Sequence, residues 1–148
     1  MKRVQMFLAG AFIAVGSLYA QSSDAEWQAE VAKLKGTIQT NPAQAAEEAE
    51  HLIKGKNKKN VELLVAIGNA YLDADKLPEA QEYATLARKA NGKSALASDL
   101  QFQVGRLYYG AGTQPDSLTI TVEERKQALM SADSVFQAIA VAAPDSYL

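Results

Sequence analysis

The fold class is clearest between Val61 and Gly92, where the chain reads VELLVAIGNAYLDADKLPEAQEYATLARKANG. Two sets of residues in this segment recur at the spacing of three and four that places side chains on one face of an α-helix. The first set is Leu64, Ile67, Gly68 and Tyr71, and the second is Ala80, Ala84 and Ala87. The pattern predicts two helices that pack against each other as a hairpin.

Gly68 lies inside the first predicted helix, where a glycine costs about 1 kcal/mol relative to alanine. A close approach of a neighbouring helix, at an interaxial distance of about 8–10 Å, would explain its presence there. Ala80 is the residue that we expect opposite Gly68. Gly105 occupies an equivalent place in a later segment, so we expect both glycines to lie between packed helices.

These segments resemble the tetratricopeptide (TPR) repeat, whose signature is Trp-x2-Leu-Gly-x2-Tyr, then Ala-x3-Phe and Pro, over about 34 residues. The central segment reads Leu64-x2-Ile67-Gly68-x2-Tyr71 and Ala80-x3-Ala84-x2-Ala87, with Gly92 in the place of Pro and Tyr83 one residue before the expected aromatic. The later segment reads Val104-Gly105-x2-Tyr108 and Ala132-x3-Phe136-x2-Ile139, closed by Pro144. The resemblance implies a binding scaffold of the exported bacterial type.

Composition agrees with packed helices, because the chain of 148 residues is 48% hydrophobic but only 7% aromatic. Frequent alanine favours helices over sheets. We expect an all-α domain over residues 26–148, in which about three antiparallel hairpins stack as a short right-handed TPR-like solenoid. The hairpins are a degenerate one at 26–55, one at 61–92 and one at 94–144. Stacked repeats need a terminal helix with a polar outer face, and none follows Pro144 in this sequence. We expect the array to continue beyond residue 148, and the alternative is an open end that is buried against a partner.

An insertion interrupts the third hairpin. The two signature glycines are 37 positions apart, whereas Ala80 and Ala132 are 52 apart. The additional residues begin with Gly110 and Gly112, which are typical of turns, so we expect a loop near 110–121. Such a loop often carries binding, and the alternative is a tolerated surface insertion.

Capping residues predict where the helices begin. Asn41 and Asn60 each precede a helical pattern and have the side chains preferred at a helix N-cap. Thr121 and Glu124 are spaced as a capping box, so the final helix is predicted to begin at Val122.

Residues 1–20 resemble a secretory signal peptide. Lys2 and Arg3 precede a mostly apolar run that ends shortly before Ala20. We expect cleavage after Ala20, a flexible mature N-terminus at 21–25 and a periplasmic location. The alternative is a retained membrane anchor, although the apolar run is shorter than the ~20 residues that a membrane-spanning helix needs.

Charge and composition argue against several functions. Without Lys2 and Arg3, 13 of the 15 basic residues remain against 17 acidic ones, a formal net charge of −4, which is unfavourable for nucleic-acid binding. The chain has no cysteine, and therefore no disulfide, thiolate metal site or thiol nucleophile. His51 is the sole histidine, and we expect it to be structural or to face solvent rather than to bind a metal. We expect no enzymatic activity, cofactor or metal.

In TPR proteins, ligands commonly lie in the groove formed by the first helix of each hairpin, and the resemblance implies the same groove here. Carried over by spacing from Gly68 and Gly105, the groove residues are Glu62, Val65, Asn69, Leu72, Asp73, Asp99, Phe102, Arg106 and Tyr109. The Asn69 amide could bind a peptide backbone and the Arg106 guanidinium a carboxylate. Leu72 and Phe102 could instead pack neighbouring repeats.

We therefore expect a non-catalytic protein–protein interaction scaffold of the bacterial cell envelope, with a protein or peptide as its partner. One alternative is a structural spacer, or an N-terminal fragment of a longer TPR protein whose specificity lies after residue 148. A second is a membrane-tethered adaptor that retains its N-terminal segment.

Overall fold

The computed structural model describes the backbone of residues 11–113 and 121–142, and the side chains of 26–113 and 121–141. These ranges form the helices α1 (Ala11–Thr40), α2 (Pro42–Leu52), α3 (Val61–Asp73), α4 (Leu77–Ala90), α5 (Ala95–Thr113) and α6 (Val122–Ala142). A 3-10 turn at Gly55–Lys59 joins α2 to α3. Because the described ranges contain no β-strand, the all-α class is confirmed.

The first helix begins earlier than the mature domain that we expected from residue 26. α1 starts at Ala11 and includes both residues 21–25 and the predicted cleavage position after Ala20. Residues 1–10 of the predicted signal peptide lie outside the described part of the chain, and its cleavage stays a prediction. In the part that is described, no helix has the length and apolar character needed to cross a membrane.

The predicted caps are confirmed by their hydrogen bonds. The side-chain oxygen of Asn41 accepts from the backbone N–H of Gln44 at 3.2 Å, and that of Asn60 caps α3 in the same way. At the start of α6, the backbone N–H of Thr121 donates to Glu124 at 2.7 Å, and Thr121 Oγ1 accepts from the backbone of Glu124. The backbone N–H of Thr121 and its hydroxyl, which donates to the same carboxylate oxygen at 2.8 Å, lower the pKa of the Glu124 carboxyl below its ordinary value.

α3 lies at the centre of the packing, because it contacts α1, α4 and α5. Buried side chains occur in successive turns of this helix: Leu63, Leu64, Val65, Ile67, Ala70 and Tyr71. α2 and α4 meet their hairpin partners mainly through buried alanines, which are Ala45, Ala49, Ala80, Ala84 and Ala87. α5 packs against α3, α4 and α6, whereas α6 packs mainly against α5 through Ala132, Val135 and Ile139.

Gly68 lies at a close helix contact, as predicted, but the nearest atoms to it belong to Leu100 and Tyr83 rather than to Ala80. A Cβ atom at Gly68 would lie 2.6 Å from Leu100 Cδ2 on α5 and 3.3 Å from Tyr83 Cβ on α4. Gly105 is also at a helix contact, where a Cβ would lie 2.8 Å from Phe136 Cε1. The prediction that both glycines lie between packed helices is therefore confirmed.

Tyr83 takes a place in the core although the repeat signature expects the aromatic residue one position later. Its ring stacks on Tyr71, with ring centroids 5.6 Å apart and an interplanar angle of 16°. Both tyrosines are buried. The aromatic ring thus packs on α3 from position 83, one residue before the position that the signature expects. Because Tyr83 supplies the aromatic contact, a small residue is sufficient at Ala84.

The predicted loop near 110–121 is wrong in its first part, because α5 continues to Thr113. Gly112 is buried, and a Cβ there would lie 2.5 Å from Leu129 Cγ and 3.2 Å from the backbone nitrogen of Leu129. The glycine thus permits close packing of α6 against α5 rather than a turn. Residues 114–120 of the predicted loop, and Pro144 of the repeat signature, lie outside the described residues.

A pair of glycine substitutions tests the close approach at Gly68. Gly68→Ala should lower the free energy of unfolding by about 1–2 kcal/mol, because overpacking against buried Leu100 exceeds the gain in helix propensity. Gly36→Ala is the matched control: Gly36 lies in α1 with nothing within 4 Å of its Cβ position, so this change should raise stability by about 0.5–1 kcal/mol. Urea unfolding measures both, and stabilisation by Gly68→Ala would contradict the packing.

The stacked tyrosines predict a loss of stability at alkaline pH. Burial, with a contribution from Glu82, raises the pKa values of Tyr71 and Tyr83 above the ordinary 10.0. Above pH 10 the unfolded chain therefore binds fewer protons than the folded chain, and the free energy of unfolding falls as pH rises.

Tyr83→Phe should flatten this fall between about pH 10 and 12, because it removes the ionisable hydroxyl. Tyr109→Phe is the control, since Tyr109 is exposed. Urea midpoints over this pH range measure the slopes, and equal slopes for Tyr83→Phe and the unaltered chain would refute the assignment.

Candidate interaction surface

The first helices of the three hairpins lie side by side, with α1 against α3 and α3 against α5. The predicted groove residues lie on α3 and α5, and only Val65 among them is buried. Six of them carry a polar side-chain group and are at least partly exposed, and we call this set the α3–α5 surface: Glu62, Asn69, Asp73, Asp99, Arg106 and Tyr109. The remaining three are apolar residues that take part in packing.

Val65 does not contribute to a groove, because only 8% of the residue is exposed and it belongs to the core. Leu72 is half-buried and packs against the same core. Phe102 is also half-buried, and its ring lies 6.0 Å from that of Phe136, centroid to centroid. α3 is covered by helices on three sides, so its apolar side chains are used to hold those helices together.

The charges of the α3–α5 surface are partly matched within the chain. The Asp73 carboxylate forms an ion pair with Lys35 of α1 at 2.7 Å, and both side chains are at least half exposed. The Asp99 carboxylate accepts a hydrogen bond from Gln103 Nε2 at 2.9 Å. Arg106 forms no ion pair with any side chain of residues 26–113 and 121–141. This surface therefore presents a cation and several acceptors to solvent.

Large exposed apolar side chains are concentrated on the third hairpin. Among the side chains that the structure describes, all of the large hydrophobic residues that are exposed lie on α5 or α6: Leu96, Leu107, Tyr109, Val122, Leu129, Met130 and Val141. Sequence analysis identified only Tyr109 of this set. The other six residues lie outside the repeat signature and the groove positions, so the spacing argument did not select them.

A pocket of about 720 Å³ between α1, α2 and the 3-10 turn was not anticipated from the sequence. Its lining carries both charges around one aromatic residue and consists of Glu26, Trp27, Glu30, Lys33, Glu48, His51, Leu52, Lys56, Asn57 and Asn60. His51 is exposed, which is one of the two placements expected for it. The lining residues come from segments that are far from any repeat signature, so no spacing in the sequence connects them.

The described residues include no group of three His, Asp or Glu side chains placed to hold a metal ion. Comparison with known proteins adds no assignment: no family model, no curated protein and no solved structure matches the chain. The TPR resemblance therefore stays a prediction that rests on the residues themselves.

The Lys35–Asp73 ion pair should be weak, so that Asp73 can exchange it for a ligand. A double-mutant cycle with Lys35→Met and Asp73→Asn should give a coupling free energy of about 0.2–1 kcal/mol, because both groups are well solvated. The coupling should approach zero at about 1 M NaCl. Lys33→Met on the same helix is the control and should not couple to Asp73→Asn. A coupling free energy well above this range would mean that the ion pair is too strong for Asp73 to exchange Lys35 for a ligand.

Proposed function

We propose that the chain is a non-catalytic protein–protein interaction scaffold of the bacterial cell envelope, built as a short TPR-like right-handed solenoid. It binds a protein or peptide along the α3–α5 surface. The observation that carries the proposal is the repeated packing, in which α3 lies between α1 and α5 while each of these three helices packs on the helix that follows it. This arrangement leaves one side of α3 and α5 uncovered.

The glycine contacts support the layered arrangement. At Gly68 a side chain of the next hairpin, Leu100, fills the space that a Cβ would occupy. The contact thus joins one hairpin to the next, which is how repeat proteins build a continuous core. The buried alanines of α2 and α4 allow the same close spacing within each hairpin.

The chemistry of the α3–α5 surface favours a mixed polar and apolar peptide. The Asn69 amide has a donor and an acceptor for a peptide backbone, and the Arg106 guanidinium can hold a carboxylate through two hydrogen bonds. The Tyr109 side chain is 56% exposed and offers an aromatic face. Val65 and Phe102 stand where TPR proteins that grip a terminal carboxylate use lysines, which argues against that activity.

A second candidate is a structural spacer within a longer TPR protein. The exposed apolar side chains of the third hairpin favour it, because another hairpin packed on α5 and α6 would cover such residues.

The membrane-tethered adaptor differs from both in its N-terminus. Mass spectrometry of the protein isolated from its host separates them, since a first residue of Gln21 would exclude the tether and agree with an exported, periplasmic protein.

Capture of partners from the native host tests the groove. The combined variant Asn69→Ala, Arg106→Ala and Tyr109→Ala should lose the partners that the unaltered chain captures, with helical circular dichroism unchanged. The control is Gln81→Ala, Thr85→Ala and Lys89→Ala on the outer side of α4, which should keep them. Mass spectrometry identifies the captured proteins, and retained capture by the groove variant would refute the proposed site.

A further inference from the structure

We propose that a second copy of this chain binds the α5 part of the α3–α5 surface, with the two α5 helices antiparallel about a two-fold axis. This inference rests on the proposed function, because it uses the same uncovered side of α5 and names one partner for it. The observation behind it is the placement of two opposite charges on that side.

Asp99, Gln103 and Arg106 follow one another at spacings of four and three, so they lie on one face of α5. Asp99 and Arg106 are exposed and opposite in charge. They are separated by two helical turns, about 10.5 Å along the axis, so they do not pair within their own helix. Asp99 forms no ion pair with the described side chains either. Both charges are thus available to another molecule.

A two-fold axis between Phe102 and Gln103 would bring these charges together. Asp99 and Arg106 are equally far from that point in the sequence, on opposite sides of it. In an antiparallel pair of α5 helices, Asp99 therefore lies opposite Arg106 of the partner subunit. The symmetry produces the same pair a second time, as an isologous interface requires.

The rest of the α5 face suits the same arrangement. Leu96 and Leu107 are eleven residues apart and share one edge of the face, and both are about half exposed. In the antiparallel pair, Leu96 lies beside Leu107 of the partner subunit, and each covers the other. Ala95 and Gly110 lie nearer the middle, and nothing within 4 Å occupies the Cβ position of Gly110. Their small size permits the two helices to approach closely.

One helix pair buries less area than a standard stable interface. We therefore expect a weak dimer, with a dissociation constant in roughly the micromolar range. Because two ion pairs between exposed groups hold it in register, added salt should weaken the association.

Charge reversal tests the inference by sedimentation velocity on the purified full chain, across concentrations up to roughly 200 μM. Arg106→Glu and Asp99→Arg should each weaken self-association at least tenfold, because each variant faces its own like charge across the axis. An equimolar mixture of the two variants should recover a dimer, since every pair in the mixed dimer is again opposite. Lys89→Glu, the same charge change on the exposed side of α4, should leave association unaltered.

Several results would overturn the inference. These are a chain that stays monomeric throughout the range, single variants that associate as well as the unaltered chain, or a mixture that fails to recover a dimer although both variants keep their helical circular dichroism. The capture experiment distinguishes this failure from failure of the proposed function. Host proteins captured through Asn69, Arg106 and Tyr109 by a monomeric chain would retain the groove and remove the second copy as its occupant.

Discussion

The close approach of helices at Gly68 is the constraint on which the other contacts depend. Leu100 of α5 and Tyr83 of α4 both reach into the space beside this glycine, so one residue without a side chain joins three helices. Packed interiors have almost no room to adjust by a methyl group. The position of α5 relative to α3, and with it that of Asp99, Arg106 and Tyr109 relative to Asn69, is therefore set by a contact in the middle of α3.

This constraint explains how the surface divides between packing and recognition. Of the apolar residues of the predicted groove on α3, Val65 is buried in the core and Leu72 is half-buried against it, because α3 contacts three other helices. α5 also contacts three helices, but its polar face and part of its apolar surface remain in solvent. The same type of helix thus serves mainly as core in the second hairpin and mainly as surface in the third.

The sequence predicted those parts of the fold that depend on local chemistry. Caps at Asn41, Asn60 and Thr121 follow from hydrogen bonds within four residues, and they were found where expected. Helical periodicity likewise identified the buried stripe of α3. The predictions that were wrong concern contacts between segments that are distant in the sequence. Glycine is typical of turns, so Gly112 was expected in a loop. In the structure it lies in α5, where Leu129 of α6 packs against it.

The candidate site was predictable to a smaller extent for the same reason. Spacing from Gly105 identified Arg106 and Tyr109, which are exposed, but spacing cannot state which neighbours cover a position. Val65 and Phe102 occupy equivalent positions of the repeat signature, yet Val65 is buried and Phe102 is half-buried, because the two layers have different surroundings. The pocket beside Trp27 brings together α1, α2 and the turn before α3, and no local pattern relates those segments.

The lengths of the last two helices have a consequence for how the molecule comes apart. α5 and α6 have 19 and 21 residues, against 13 and 14 in α3 and α4, and α6 has α5 as its main neighbour. The outermost turns of α5 and α6 are thus stabilised chiefly by contacts between these two helices. Separation of α6 would leave the contact between Gly68 and Leu100 in place. We therefore expect the amide protons of α6 to exchange with solvent through a partial unfolding that leaves α1, α3, α4 and α5 packed together.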